Sequence, residues 1–521
     1  MAPVSAIKRH RLSEPSSMMT PRRKQTQRED VMRPLRVSVS WCFRVFVFVC
    51  SFFEVMGFAR SNARADDPSR PRTEIIYYDS VDEHGNLAGG MLELPFEKPD
   101  WAIKPASPEL RDGADNRIDL VIVGDGYTAA QQSTFHAHAA FAMSTMFTQQ
   151  PFATYAPLFL IHEIEVISIE SGVDNDPTQG ILKNTALDMA FWCNGIERLL
   201  CVNVNKAYNA ASAAPDVDLV LALANSTKYG GAGYTTSDLA TSSGGNGAAP
   251  EIAIHEFGHS LGNLADEYTY GGPVNYTGPE PSAVNVSTLN AAAMAAAGTK
   301  WAAWLGTNNP AYDGLCSTFE GGMYSETGIY RPSNNSKMRA LGRPFNHPSA
   351  EALIIEIYKL VRPIDDATPT GGTLNGSETV FVDPVDPIGN PLAITWKLDG
   401  DVLPGATGET LDLTTVPLPA GAHALQVIVQ DTTTLVRNET ARQTWMTESR
   451  TWNLFVPLRP GDVNCDGIAD LDDVSALALA LLDAAEYAAQ YPDCPATQAD
   501  VNGDSLRDGG DVAAFLSVIM P

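Results

Sequence analysis

Apolar residues in the middle of the chain come in dense runs instead of alternating with polar ones. Ile118–Val123, Ile161–Ser168 and Asp218–Ala224 are too continuously apolar to face water on one side, which predicts strands covered on both faces. A helix is predicted over about 129–148, and an amphipathic helix over Ala350–Leu360 closes the region. Strands alternating with helices point to an α/β layer domain over 117–362. Ahead of it, Glu74–Tyr78 reads as one strand, followed by Pro95, Pro99, Pro105 and Pro108; residues 66–116 are therefore a small β unit and linker. From 363 helical periodicity gives way to short strands with turn signals: Thr379–Val382, Ala393–Lys397, Thr410–Leu413, His423–Gln430 and Thr451–Phe455. That spacing describes an immunoglobulin-like β-sandwich over 363–458, with no catalytic constellation and the role of a spacer.

A chain of 521 residues is too long for one core and divides into roughly three or four domains. Its net charge of −27 is uneven. Residues 1–65 hold 12 basic against 4 acidic side chains, leaving 23 against 58, or −35, in the rest. A mature chain that acidic repels phosphates, so a nucleic-acid partner is not expected. The basic start reads as a signal peptide with a long n-region: Arg33 and Arg36 precede the apolar run Val45–Phe53, and Ala63-Arg64-Ala65 offers a cleavage site. Met18 and Met32 are alternative starts. No other apolar stretch is long enough to span a bilayer, so the mature chain is expected to be secreted or held at the cell surface without a membrane span. Five cysteines remain after the signal. Cys193 with Cys201 and Cys465 with Cys494 are expected disulfides, which suit an oxidising compartment, and Cys316 is expected to be a buried thiol.

The last module, 459–521, is an internal repeat. Asp462-Val463-Asn464-Cys465-Asp466-Gly467 recurs as Asp500-Val501-Asn502-Gly503-Asp504-Ser505, and each copy continues with two further acidic residues, Asp470 and Asp473, then Asp508 and Asp511. Oxygen ligands at alternate positions around a sharp turn are the calcium-loop pattern, and an apolar-spaced helix is predicted after each loop. Two structural calcium ions follow, on Asp462, Asn464, Asp466, Asp470 and Asp473 and on Asp500, Asn502, Asp504, Asp508 and Asp511. The module resembles the small α-helical dockerin domains, paired EF-hand-like loops of secreted bacterial enzymes. That resemblance implies a cohesin-like or cell-surface partner, although Leu471-Asp472 and Gly509-Gly510, at the usual recognition positions, differ between the copies.

The candidate chemistry lies in Ala253-Ile254-His255-Glu256-Phe257-Gly258-His259-Ser260-Leu261-Gly262. Four residues are just over one helical turn, so His255 and His259 project from one face and can hold two corners of a tetrahedral zinc. Glu256 is then placed to take a proton from an activated water. The third ligand is expected to be Asp266, with Glu267 in reserve, because Ala265 stands where metzincin proteases carry a third His. Tyr330 is a candidate oxyanion donor. Asp218–Ala224 with Tyr229-Gly230-Gly231 offers an edge strand beside which a substrate can lie. His136, His138, His162, His347 and His423 lack partner spacing and read as structural.

The run from His255 to Tyr268 resembles the signature of the IgA peptidase family of metzincin-like zinc metallopeptidases. The likeness extends over 117–360, through Gly124–Thr128, Glu170–Asp174, Tyr229–Gly231, Phe319–Gly322, Tyr330–Pro332 and Ser336–Arg339. It implies a metzincin-like α/β peptidase domain with one catalytic zinc, a Met-turn placing Met338 beneath it, and a protein or peptide substrate. Family members often carry cysteines near that turn, where this chain has Ser336 and Asn346, and their leading domain is larger than 66–110. The expected function is thus a secreted zinc endopeptidase. A non-catalytic adhesive or scaffold protein built on a peptidase-like fold is the competing expectation, and zinc hydrolysis of a non-peptide bond is a third.

Overall fold

The computed structural model describes residues 8–11, 73–81, 87–96, 98–102, 116–457 and 459–520. The signal peptide expected over 1–65 lies outside the described residues except for one four-residue strand, Lys8–Arg11.

The region ending at the helix His347–Leu360 is mixed α/β, built on an eight-stranded sheet. Its strands are β1 (Lys8–Arg11), β2 (Thr73–Val81), β3 (Leu87–Pro95), β4 (Ile118–Asp125), β5 (Phe159–Glu165), β6 (Leu219–Ala224), β7 (Gly231–Tyr234) and β8 (Leu239–Ser243), in the order β1-β5-β4-β6-β8-β7-β2-β3. The first five in that order run parallel, and β7 reverses direction against β8. β4 and β6 are buried at every position, as their dense apolar runs require. Side chains alternate between faces of a strand. Leu120, Ile122, Leu219, Leu221 and Leu223 accordingly join one core, with the helices Gln132–Met146, Ala249–Ser260 and His347–Leu360. Val121, Val123, Val220, Ala222 and Ala224 join a second core, with the helix Val204–Ala211.

Two expectations are corrected here. Leu219–Ala224 is not an edge strand but lies between β4 and β8. A run apolar on both faces needs cover on both faces and both edges, which only an interior strand receives. The edge it was expected to offer falls to β7, and that edge is already paired: Ile76 stands opposite Tyr234 and Tyr77 opposite Gly233. Thr73–Val81 and Leu87–Pro95, expected as a small β unit of their own, are thus an antiparallel pair that extends the sheet. It is pinned by Glu74, which accepts hydrogen bonds from the Thr236 N–H at 2.7 Å and from the Ser237 hydroxyl, and by the Lys98–Asp238 ion pair at 2.6 Å.

Beyond the closing helix, a three-stranded sheet (Ile364–Ala367, Thr379–Pro384, Thr410–Asp412) and a five-stranded one (Thr373–Leu374, Ala393–Leu398, Asp401–Val402, Gly421–Gln430, Thr447–Val456) share a core. Trp396 and Trp452 stack at its centre, 5.7 Å apart. A helix, Glu439–Trp445, interrupts the region where no helix was expected; Asn438 caps it by accepting from the Ala441 N–H. Val385, Val436 and Met446 pack into the first core, that of Leu120 and Leu221, and Asp431 is wholly buried. Its Oδ2 accepts from the hydroxyls of Tyr155 at 2.8 Å and Tyr358 at 3.0 Å, and its Oδ1 from Asn390 and the Thr433 N–H. Asp431→Ala leaves both phenols buried without this acceptor, at about 1–3 kcal/mol each. A drop of roughly 2–5 kcal/mol in urea unfolding is expected, with Asp431→Asn, which keeps an acceptor oxygen, falling less.

The C-terminal residues form three helices, Asp473–Leu482, Ala484–Gln490 and Gly510–Ile519, around a small core of Val463, Leu477, Tyr487 and Phe515; the middle helix was not expected. Cys465 is bonded to Cys494 and Cys193 to Cys201, while Cys316 is a buried free thiol, as expected. Among the described residues no helix is long and apolar enough to cross a membrane.

Candidate metal centre

The helix Ala249–Ser260 opens with Pro250 in its first turn, where an absent N–H costs nothing, and every residue after Glu251 is buried. Glu251 is tied to the turn that carries Met338: it pairs with the Lys337 ammonium and accepts the Gly342 N–H at 2.7 Å. His255 Nδ1 hydrogen-bonds the Lys337 carbonyl at 3.0 Å, and His259 Nδ1 the Leu264 carbonyl at 2.7 Å. A carbonyl oxygen can only accept, so each Nδ1 carries its hydrogen and each Nε2 presents a lone pair.

Those two Nε2 atoms stand 3.1 Å apart. Asp266 Oδ1 lies 3.2 Å from the first and 3.4 Å from the second, and this wholly buried oxygen takes no hydrogen bond. Glu256 is the other acidic group at the pair: His255, Glu256 and His259 bring ligand-type atoms within 4.8 Å of one another. Three buried electron-pair donors pointed at one another repel unless a cation lies among them, so the residues present fit a divalent metal.

Glycines in β7 let the helix come this close. A side chain on Gly231 would sit 3.1 Å from Glu256 Oε1, and one on Gly233 would sit 2.7 Å from His259 Cβ and 3.1 Å from Glu256 Oε2. Tyr77 of β2 stacks flat on the His259 ring, 4.2 Å between centroids. After the helix the chain reverses through Asn263, at φ +48°, and not through Gly262. Gly262 is required for space instead, because a side chain there would meet the Gly258 carbonyl at 2.8 Å. Met338 lies below the helix with its sulfur against Gly258, and its carbonyl accepts the Glu267 N–H at 2.7 Å.

Residues 109–314 match the model of a family described as IgA Peptidase M64. Over that segment, less than half of the chain, the sequence is similar to this family. The family is one of peptidases, which supports a hydrolase acting on protein or peptide and accords with a metal at the centre just described. A search of curated proteins found no match. The IgA Peptidase M64 segment contains His255, Glu256, His259 and Asp266 and stops short of Met338 and of everything beyond.

Of the two carboxylates weighed as third ligand, Asp266 faces the histidines and Glu267 turns away. Glu267 is wholly buried and accepts from Asn285 at 2.9 Å, Ser336 at 2.7 Å and Asn346 at 2.8 Å. Burial raises its pKa, against these hydrogen bonds and Arg331. Ser336 and Asn346 thus occupy the Met-turn positions as partners of Glu267. Tyr330 is not brought to the centre by any contact among the described residues; its backbone pairs with Ser287 and Glu320. The other histidines have ordinary partners: His162 with Asp119, His136 with Glu163 and Glu165, His138 with Tyr127, His423 with Asp399, and His347 stacked on Trp304 and Tyr312.

In the C-terminal repeat, Asp473 Oδ1 accepts from the N–H groups of Val463 and Asn464, and the Asp511 carboxylate from those of Asn502 and Asp508. The last acidic residue of each half therefore folds back onto the start of its own loop. Burial, then the neighbouring Asp473, pushes the Asp462 carboxyl up to about 6. Gly467 takes φ +95° at its sharp turn, and Ser505 is held at φ +69° in the second copy, the left-handed conformation that a glycine would adopt more easily.

Proposed function

We propose that this chain is an exported zinc endopeptidase in which His255, His259 and Asp266 hold the metal and Glu256 is the general base. The observation that carries the reading is the convergence of two Nε2 lone pairs and an unsatisfied buried carboxylate oxygen beside a second buried carboxylate. Zinc bound there supplies Lewis-acid chemistry, polarising a carbonyl and acidifying water. The protein's own residues do the rest. The Lys337 and Leu264 carbonyls fix the imidazole tautomers, as donor–acceptor pairs behind metal ligands commonly do. Glu256 takes a water proton on its carboxylate and delivers it to the leaving amine nitrogen. Met338 and Gly258 close the floor against water.

Export is supported by the basic leader with its apolar run and by two disulfides. The last module is read as a dockerin-like pair of calcium loops that folds around two ions and has a cohesin-like or cell-surface partner. The Asp462 and Asp473 carboxyls, both pushed up by burial and by neighbouring carboxylates, support the cations. Dialysing calcium away while keeping zinc is expected to unfold 459–521 and spare the peptidase region, measured by hydrogen exchange. Calcium at a hundred times its dissociation constant contributes about 2.7 kcal/mol per site.

The proposed activity is tested by incubating residues 66–521 with a diverse peptide library and sequencing the products by mass spectrometry. Cleavage at internal bonds, lost on chelation and restored by zinc, is expected. Terminal trimming alone, or products that persist without metal, would overturn the reading.

A further inference from the structure

We propose that Tyr324 is the positioning residue of the metal centre: its hydroxyl holds Asp266 Oδ2, so that Oδ1 is presented to the Nε2 atoms of His255 and His259. The inference rests on the zinc reading above.

It begins from a backbone outlier. Phe319–Gly322 and Ser325–Arg331 form an antiparallel hairpin in which Gly322 pairs with Ser325, leaving Met323 and Tyr324 as a two-residue turn. Both have positive φ, +43° and +66°. Turns of this kind favour Asn-Gly because ordinary side chains are strained there. Strain kept in a folded protein is held by its surroundings and is a pointer to function.

The turn is docked on the loop that carries Asp266. The Met323 N–H donates to the Asp266 carbonyl at 2.9 Å, and the Tyr324 N–H to the Tyr268 carbonyl at 3.0 Å. The Tyr324 ring stacks on Tyr270 at 5.1 Å and meets Tyr268 edge-on at 5.4 Å. Its hydroxyl donates to Asp266 Oδ2 at 2.5 Å. A carboxylate oxygen accepts, so the phenol hydroxyl is the donor of this bond. Each oxygen of the carboxylate therefore has one task. Oδ2 is anchored, and Oδ1 faces the imidazoles without a hydrogen bond. An aspartate carboxylate otherwise rotates freely about its last torsion, so removing the anchor leaves the ligand oxygen unaimed.

The test is Tyr324→Phe, which keeps the ring and its stacking and removes one hydroxyl. Zinc affinity, read by chelator competition, is expected to fall roughly 10- to 100-fold, and the absorption spectrum of the cobalt-substituted protein should change in shape. In an Asp266→Ala background the same substitution should have no further effect on zinc affinity, because the hydroxyl acts through that carboxylate. Unchanged affinity and spectrum in Tyr324→Phe would overturn the proposal. So would an equal further loss in the Asp266→Ala background, which would make the role one of general packing. A wild-type chain that takes up no zinc would instead bring down the metal reading on which the proposal stands.

Discussion

Glu256→Ala is expected to leave zinc bound and to cut peptide hydrolysis by at least about 10²- to 10⁴-fold, the usual worth of a positioned general base. The two halves of this expectation come from different contacts. In the proposed function metal affinity resides in His255, His259 and Asp266, whose Nδ1 and Oδ2 partners lie on Lys337, Leu264 and Tyr324 and do not involve the Glu256 side chain. The Glu256 carboxylate instead lies against the glycine-rich strand β7, close to where side chains on Gly231 and Gly233 would stand. Truncating it opens space without removing a metal donor. Glu256→Gln keeps the volume and loses the basicity, so the two variants should be comparably inactive. Peptide turnover by both variants at wild-type rates, with one zinc retained, would show that the proton is carried elsewhere. A binding-only scaffold is distinguished by a different pattern, in which the wild-type chain also fails to cleave.

Asp266→Ala is expected to weaken zinc binding by two orders of magnitude or more, whereas Glu267→Ala acts on folding. Losing one of three ligands costs far more than losing an outer-shell partner, itself worth about 10–100-fold. Glu267 meets none of the metal-facing atoms; it satisfies Asn285, Ser336 and Asn346 in the interior. Its removal leaves buried donors unmatched, at about 1–3 kcal/mol each. A chain with Glu267→Ala should therefore melt earlier while its folded fraction still takes up zinc. Equilibrium dialysis with zinc, beside thermal melting of both variants, separates the effects. Tight zinc in Asp266→Ala and none in folded Glu267→Ala would reverse the assignment.

The parts of this centre carried by one helix were readable from spacing alone. His255, Glu256 and His259 follow from four residues making just over a turn, whereas Asp266, in the loop beyond, was weighed against Glu267 because Ala265 stands where a third His would be. What comes from elsewhere in the chain left no local trace. Tyr324 meets Asp266 across 58 positions, and Tyr77 reaches His259 from strand β2, far back in the sequence. Neither tyrosine belongs to a spaced pattern, and only the strained turn at Met323-Tyr324 marks one of them. The error over Asp218–Ala224 was of another kind. Its apolar character on both faces already argued for an interior strand, and the glycines that follow it mark the close packing of β7 on the metal-site helix, not an open rim. The seven-residue helix Glu439–Trp445 is too short for periodicity to show, and its Asn438 cap looks like any loop asparagine.

The most direct measurement is a titration of metal-free protein with zinc, following peptide cleavage and bound metal together. Activity should be absent at the start, rise in proportion to bound zinc, and level off at one equivalent per chain. Full cleavage in the metal-free protein, or none once one zinc is bound, would contradict the account.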